Sequence, residues 1–331
     1  MLTKDRVVEL DIIKVVGILL VVFAHVTRMY TPQALIPNEV QSHFLQELTY
    51  VIYTFHMPLF VFVSGLTFGI IVLRNHQYQN FKGFVWNKFK RLMIPYFVFA
   101  FCWVMPFMLL YGFKTSLKNF IINDILLSYD CRHLWYVWML FNVFILFYVL
   151  KNLFSKLHLP AYTLLFVSII LYIFQKVMNL SIFNAFQINS MLTYQLYFVI
   201  GYMVSYYRNM FIRYMSVFVC AGFLIADYLG SWKALFLALS GILLFYLIAP
   251  LGKCLVNSKC FKLIAKNIFG IYLFHPIIIY IIFYYFSHCS INTFVFVCIS
   301  FLVSVILSCG LAELVRICHA QVIIGERKSS I

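Results

Sequence analysis

Charge is almost absent from long stretches of this chain. Apolar runs occupy 12–30, 50–73, 92–112, 134–150, 159–176, 191–207, 211–229, 232–249, 264–286 and 291–315. A helix that crosses a bilayer needs about 20 mostly apolar residues, because each residue rises about 1.5 Å through a hydrocarbon core of about 30 Å. Hydrophobic residues make up 64% of the sequence and charged residues 11%, against about 25% charged in a soluble domain. A soluble core cannot hide that much apolar surface; lipid-facing helices need not hide it. Runs of this length close their backbone hydrogen bonds in lipid as helices. The predicted fold is therefore all-α: a polytopic membrane helical bundle of about ten transmembrane helices, read as one domain over 1–331.

The basic residues predict the orientation. The formal net charge is +15, but these residues sit in short loops between apolar runs, which is a topology signal and not a nucleic-acid footprint. Of the 25 Lys and Arg, 18 fall in alternate segments, among them Lys4, Arg6, Arg74, Lys82, Lys88, Lys90, Arg91 and Lys253. Arg28, Lys114, Lys118, Arg132, Lys176 and Lys233 fall in the others, and Lys14 lies inside the first run. The richer set belongs in the cytoplasm, and an even number of spans returns both termini there. The first run lacks a small-residue cleavage site, so it reads as an anchor. The nine Cys contain no C-x-x-C and no zinc-ligand spacing, and several lie in apolar runs as small hydrophobes.

Ionisable residues inside spans are costly and normally face a bundle interior or a water-filled path. In DIIKVVGILLVVFAHVTR, helical spacing puts Asp11, Lys14, His25 and Arg28 on one side of the first span. One reading is a functional stripe; the other is structural, with Asp11 paired to Lys14 and His25 bonded to a neighbouring helix. The second span enters from outside and brings His56 to a depth comparable with His25, close to Pro58. Ser64 and Gly65 read as a site of close helix packing. Arg132 and His133 open the fourth span beside Trp135 and Trp138, where an interfacial aromatic belt and a sugar-binding mouth are both open readings. His275 precedes Pro276 in the middle of the ninth span. The three span histidines stand on separate helices with no carboxylate at depth and no H-E-x-x-H, so no metal is expected. Lys88, Lys90 and Arg91 form a tight cytoplasmic patch ahead of Pro95, suited to anionic lipid or to the phosphates of a nucleotide-like cofactor.

Taken together these segments resemble the membrane acyltransferase 3 family, and within it the fucose 4-O-acetylase-like proteins. Asp11, Lys14 and His25 follow the family's first-span pattern, with Val15, Val16 and Gly17 where Gly-Ile-Ala is common. FHMPLFVFVSG at 55–65 is similar to a characteristic second-span block. KRLMIPYF at 90–97, HLWYVWML at 133–140, FVIGYMVSYY at 198–207 and IYLFHPI at 271–277 follow in the family's order.

The resemblance implies transfer of an acyl group, usually acetyl, from acetyl-CoA or another acyl-CoA in the cytosol to a hydroxyl. The implied acceptor is a cell-envelope glycan or its lipid-linked sugar precursor. The implied setting is the bacterial inner (cytoplasmic) membrane, with membrane lipids as the other partner and no nucleic acid. The family's first-span histidine maps onto His25 as the catalytic residue, and its basic groups near the cytoplasm map onto Lys14, Lys88, Lys90 and Arg91 as donor-binding residues. Arg28, His56, Arg132, His133 and His275 are the candidate acceptor-binding residues. Imidazole chemistry suits the reaction, since a hydroxyl nucleophile needs a base and the thioester oxygen needs hydrogen-bond donors. His25 either deprotonates the acceptor or carries the acyl group itself, and the sequence leaves both open. The rival reading is a multi-span transporter or exporter of a glycan or small molecule.

Overall fold

A computed structural model describes residues 4–36, 40–75, 80–111, 116–129, 131–178, 185–224, 230–287 and 291–326. In chain order the principal helices are α1 (Lys4–Arg28), α2 (His43–Asn75), α3 (Phe81–Leu110), α4 (Trp135–Lys156), α5 (Tyr162–Met178), α6 (Ile188–Leu224), α7 (Lys233–Ile248), α8 (Lys259–Phe286) and α9 (Thr293–Ile317). The described residues are thus an all-α, polytopic assembly. Seven stretches among them are long and apolar enough to cross a bilayer: Val8–Arg28, His43–Val72, Phe81–Leu110, Arg132–Lys156, Lys233–Leu255, Lys259–Phe286 and Thr293–Ile317.

These seven correspond to the first four and last three of the ten predicted spans. The fifth is the shorter apolar helix α5, 17 residues long. The sixth and seventh fall on α6, in which two helices meet at a kink at Tyr207 (φ −122°, ψ 45°), the last residue of the sixth predicted span. Helical geometry thus breaks just ahead of Arg208 and Arg213, where the sequence predicts the separator between the two spans, although no long loop lies there. Residues 225–229, the end of the seventh predicted span, lie outside the described residues, as do Lys114, Arg327 and Lys328.

The rod α3 is not a uniform α-helix. Phe89–Met93 and Ala100–Val104 are π-helical turns. Each ends two residues before a proline, Pro95 and Pro106. Proline donates no N–H and its ring crowds the preceding turn, so the backbone widens ahead of it. Lys90 and Arg91 sit on the first of these wide turns.

The chain divides into two compact units, each described by itself. The first comprises Met1–Val63 and Asn209–Ile317. Here α1 packs along α8 and α9, and the 3-10 stretch Ala249–Leu255 covers the start of α1. Closeness comes from small residues. A Cβ on Gly270 of α8 would lie 2.6 Å from the Cβ of Ala312 on α9, and Ser300, Ser304, Ser308 and Ala312 form a fully buried face at four-residue spacing. The opposite side of α9, with Leu302, Ile306 and Leu307, is exposed and apolar, as a lipid solvent requires.

The second unit comprises Ser64–Arg208 and Cys318–Ile331. Gly65 lies directly against the Phe198 carbonyl, leaving no room for a side chain; the close packing expected at that position is present. Phe68, Phe84, Phe144, Phe147, Phe198 and Tyr202 interlock as an aromatic core.

Candidate functional site

Three of the residues singled out in the sequence meet in the first unit. α1 delivers His25, α2 delivers His56 and α8 delivers His275. The His25 and His275 rings meet edge to face, with centroids 5.0 Å apart and planes at 77°. His275 is fully buried and His56 nearly so, whereas His25 is half-buried. Tyr53 stands between the histidines of the first two spans, its centroid 5.9 Å from His25 and 4.9 Å from His56. The guanidinium carbon of Arg28 lies 5.6 Å from the Tyr53 ring centroid.

Local sequence explains how these side chains are held. His25 and Arg28 are three residues apart on α1, and Tyr53 and His56 are three apart on α2, so each pair shares a helix face. Beside them the hydroxyls of Thr27 and Thr49 are 2.7 Å apart and buried, joining α1 to α2. Gly17 admits the Phe60 ring of α2, which comes within 3.1 Å of where its Cβ would be.

The buried histidines have assigned hydrogen bonds. His56 Nδ1 donates to the Ile52 carbonyl at 2.7 Å, and His275 Nδ1 donates to the Ile271 carbonyl at 2.8 Å. A carbonyl only accepts, so Nδ1 carries the hydrogen in both rings. In the neutral imidazole the lone pair is then on Nε2. Neither neutral ring then has a second hydrogen to donate.

Lys14 lies on α1 with His25 and Arg28, toward the helix start, 3.7 Å from Asp11. The pairing weighed in the sequence is thus formed, and a second ion pair, Lys253 to Glu9 at 3.8 Å, stands beside that end of α1. The remaining predicted site residues belong to the second unit. Lys88 points its ammonium onto the Phe144 ring, 3.4 Å from the centroid. Lys90 and Arg91 are exposed, with the Lys90 ammonium 5.6 Å from the Trp86 ring centroid. Arg132 has left-handed backbone geometry (φ 50°), and His133 is buried in the following turn.

The sequence reading missed Tyr53, Thr27 and Thr49. Tyr53 carried a usable signal, since it lies one helical turn before His56. The threonine pair carried none, because it depends on how α1 and α2 align across the intervening loop. Among the described residues, no three His, Cys, Asp or Glu side chains converge as a metal ion would require.

Comparison with known proteins gives one result. A family model described as an acyltransferase domain, that of the acyltransferase 3 family, matches residues 7–313. No curated protein matches the chain, and no solved structure does.

Proposed function

This chain belongs to the acyltransferase 3 family, and from that premise we propose that it is an O-acetyltransferase acting on a sugar hydroxyl of a cell-surface polysaccharide or its lipid-linked precursor. Membrane-embedded acyl transfer is the family's character, and an acyl-CoA-type donor is consistent with it. The narrower choices, acetyl as the group and a glycan as the acceptor, rest on the likeness to the fucose 4-O-acetylase-like proteins. Ten spans with both termini in the cytoplasm of a bacterial inner membrane are part of the same proposal, supported by the distribution of basic residues.

The observation that carries the reading is the meeting of His25, His56 and His275 beside Arg28 in the first unit. Acyl transfer to an alcohol needs a proton acceptor near the attacking oxygen. His25 is the half-buried imidazole of the three, so it is the one placed to meet a substrate. In the direct route the alcohol oxygen bonds to the thioester carbon and its proton passes to His25. The carbonyl oxygen bears the charge until the C–S bond breaks, and the coenzyme A thiolate then takes the proton from the imidazolium. Arg28 binds the acceptor on the outer side of His25. Of the basic residues assigned to the donor by the resemblance, the exposed Lys90 and Arg91 attract its phosphates, whereas Lys88 is held on the Phe144 ring.

Membranes containing the protein, incubated with acetyl-CoA labelled in the acetyl group, are expected to transfer label to envelope glycan. Transfer to a small soluble metabolite instead would make the acceptor class wrong. Glycan export without any transfer would replace the enzyme reading with the transporter.

A further inference from the structure

We propose that Tyr53 is a catalytic residue of the transfer site: its phenol O–H donates a hydrogen bond to the acyl carbonyl oxygen as negative charge develops there. The inference rests on the acyl-transfer reading and adds to it a residue that the sequence reading did not single out.

Donors and acceptors are unevenly divided in the cluster. His56 and His275 commit their Nδ1–H groups to the carbonyls of Ile52 and Ile271. When neutral, neither ring has a further hydrogen to give. His25, acting as base, also accepts. Yet the reaction places negative charge on the thioester carbonyl oxygen, which needs donors and is poorly served by three acceptors. Among the side chains described in this cluster, Tyr53 and Arg28 have hydrogens to give.

Tyr53 is the central member by position. Its ring contacts those of both His25 and His56, and the Arg28 guanidinium lies against it. Its phenol oxygen is buried, so a hydrogen bond made there meets little competition from water and is stronger than one at the surface. The adjacent cation favours negative charge on the oxygen of a group bound next to the phenol. Tyr53 exchanges no proton in the net reaction: the alcohol proton travels by the imidazole to the departing thiolate, and the phenol keeps its own. A bland role as an aromatic spacer would use the ring alone, and the two roles separate on removal of one oxygen atom.

The test uses the full chain in membranes, with acetyl-CoA and the envelope glycan as substrates. Tyr53→Phe keeps the ring and its contacts with His25 and His56. Its kcat is expected to fall about 10²–10³-fold, the range for losing one oxyanion donor, with both KM values within about twofold of wild type. A wild-type kcat in Tyr53→Phe, or a loss confined to KM, overturns the proposal. A second measurement does not depend on truncation. Replacing Tyr53 with 3,5-difluorotyrosine preserves its shape but makes the phenol more acidic, and an ionised phenol cannot donate. The fluorinated protein is expected to lose activity at a lower pH than the wild type; identical pH profiles overturn the assignment. Wild-type membranes that transfer no acyl group from acetyl-CoA overturn the acyl-transfer reading and the role of Tyr53 with it. An active wild type with an equally active Tyr53→Phe overturns Tyr53 alone.

Discussion

The imidazoles of His25 and His275 meet edge to face with centroids 5.0 Å apart, although they stand near opposite ends of the sequence. The packing of α1 against α8 brings them together. An acyl-transfer centre on this pair makes the two residues unequal, because His25 is half-buried and His275 fully so.

His25→Ala is therefore expected to leave insertion and abundance near normal while lowering transfer by at least about 100-fold, the lower end for losing a positioned general base. His25→Asn retains hydrogen bonding without basicity and should fail as well. The quantity to compare is the initial rate per inserted protein with donor and acceptor saturating. Retention of most of that rate by His25→Ala would demote His25 to a helix-packing residue.

His56 and His275 can be separated into structural and chemical roles by asparagine. The Asn side-chain amide can take the place of Nδ1–H and donate to Ile52 or Ile271, but it has nothing equivalent to Nε2. Should the rings serve through Nε2, His56→Asn and His275→Asn will insert normally and transfer more slowly, each with a smaller loss than His25→Ala. Wild-type rates in both variants would show that the carbonyl bonds are their whole contribution.

The seven long apolar helices were legible because hydropathy reports a lipid-crossing helix almost directly. The helix-face relation of Lys14, His25 and Arg28 follows from spacing alone, and α1 runs unbroken through all three. Two features were not legible for physical reasons. The separator between the sixth and seventh predicted spans, marked in sequence by Arg208 and Arg213, is a kink at the single non-helical residue Tyr207 and not a loop, and hydropathy does not tell the two apart. The Lys88 side chain could have faced solvent or core from sequence alone, and aromatic partners as distant as Phe144 decide for the core.

That placement divides the basic patch. Neutralising Lys90 and Arg91 together, as Lys90→Gln with Arg91→Gln, is expected to raise the KM for acetyl-CoA with little change in kcat, since both residues are exposed on a wide turn. Lys88→Met is expected to act on stability instead, because the ammonium–Phe144 contact contributes about 0.5–2 kcal/mol. Donor kinetics measured on correctly inserted variants decide the matter. An unchanged KM in the double variant would leave Lys90 and Arg91 as topology signals.

Topology is independently checkable. From the excess of Lys and Arg in alternate segments, both termini are expected on the cytoplasmic side. A reporter active only in the cytoplasm should work when fused after Ile331 and fail when inserted between residues 31 and 42, ahead of α2. Equal signals at the two positions would refute the orientation.

The end of α8 away from the imidazoles is tied to α9 by a polar network. Glu313 on α9 receives Lys266 Nζ at 2.8 Å on Oε2 and Asn267 Nδ2 at 2.9 Å on Oε1. Arg316 Nη1 donates to the same Oε1 at 2.8 Å and to Asn267 Oδ1 at 2.7 Å, while Nη2 reaches the Lys266 carbonyl at 3.2 Å. Asn267 is fully buried, so the network anchors α8 to α9 within a turn of the close Gly270–Ala312 contact. His275 lies eight residues beyond Asn267 on the same helix. Glu313→Gln preserves shape and one acceptor but removes the charge facing Lys266 and Arg316. Hydrogen bonds to charged groups contribute about 1.5–3 kcal/mol each, reduced here by the partial exposure of Glu313, so the unfolding midpoint in detergent should fall by a few degrees. Arg316→Ala removes donors from the same network, and combining it with Glu313→Gln should cost less than the sum of the single changes. Transfer per folded protein should stay close to wild type in Glu313→Gln, because the network is two turns from His275 and touches no imidazole. An unchanged midpoint in Glu313→Gln, or strictly additive losses in the double variant, would mean that the helix pair is held by its small-residue packing alone.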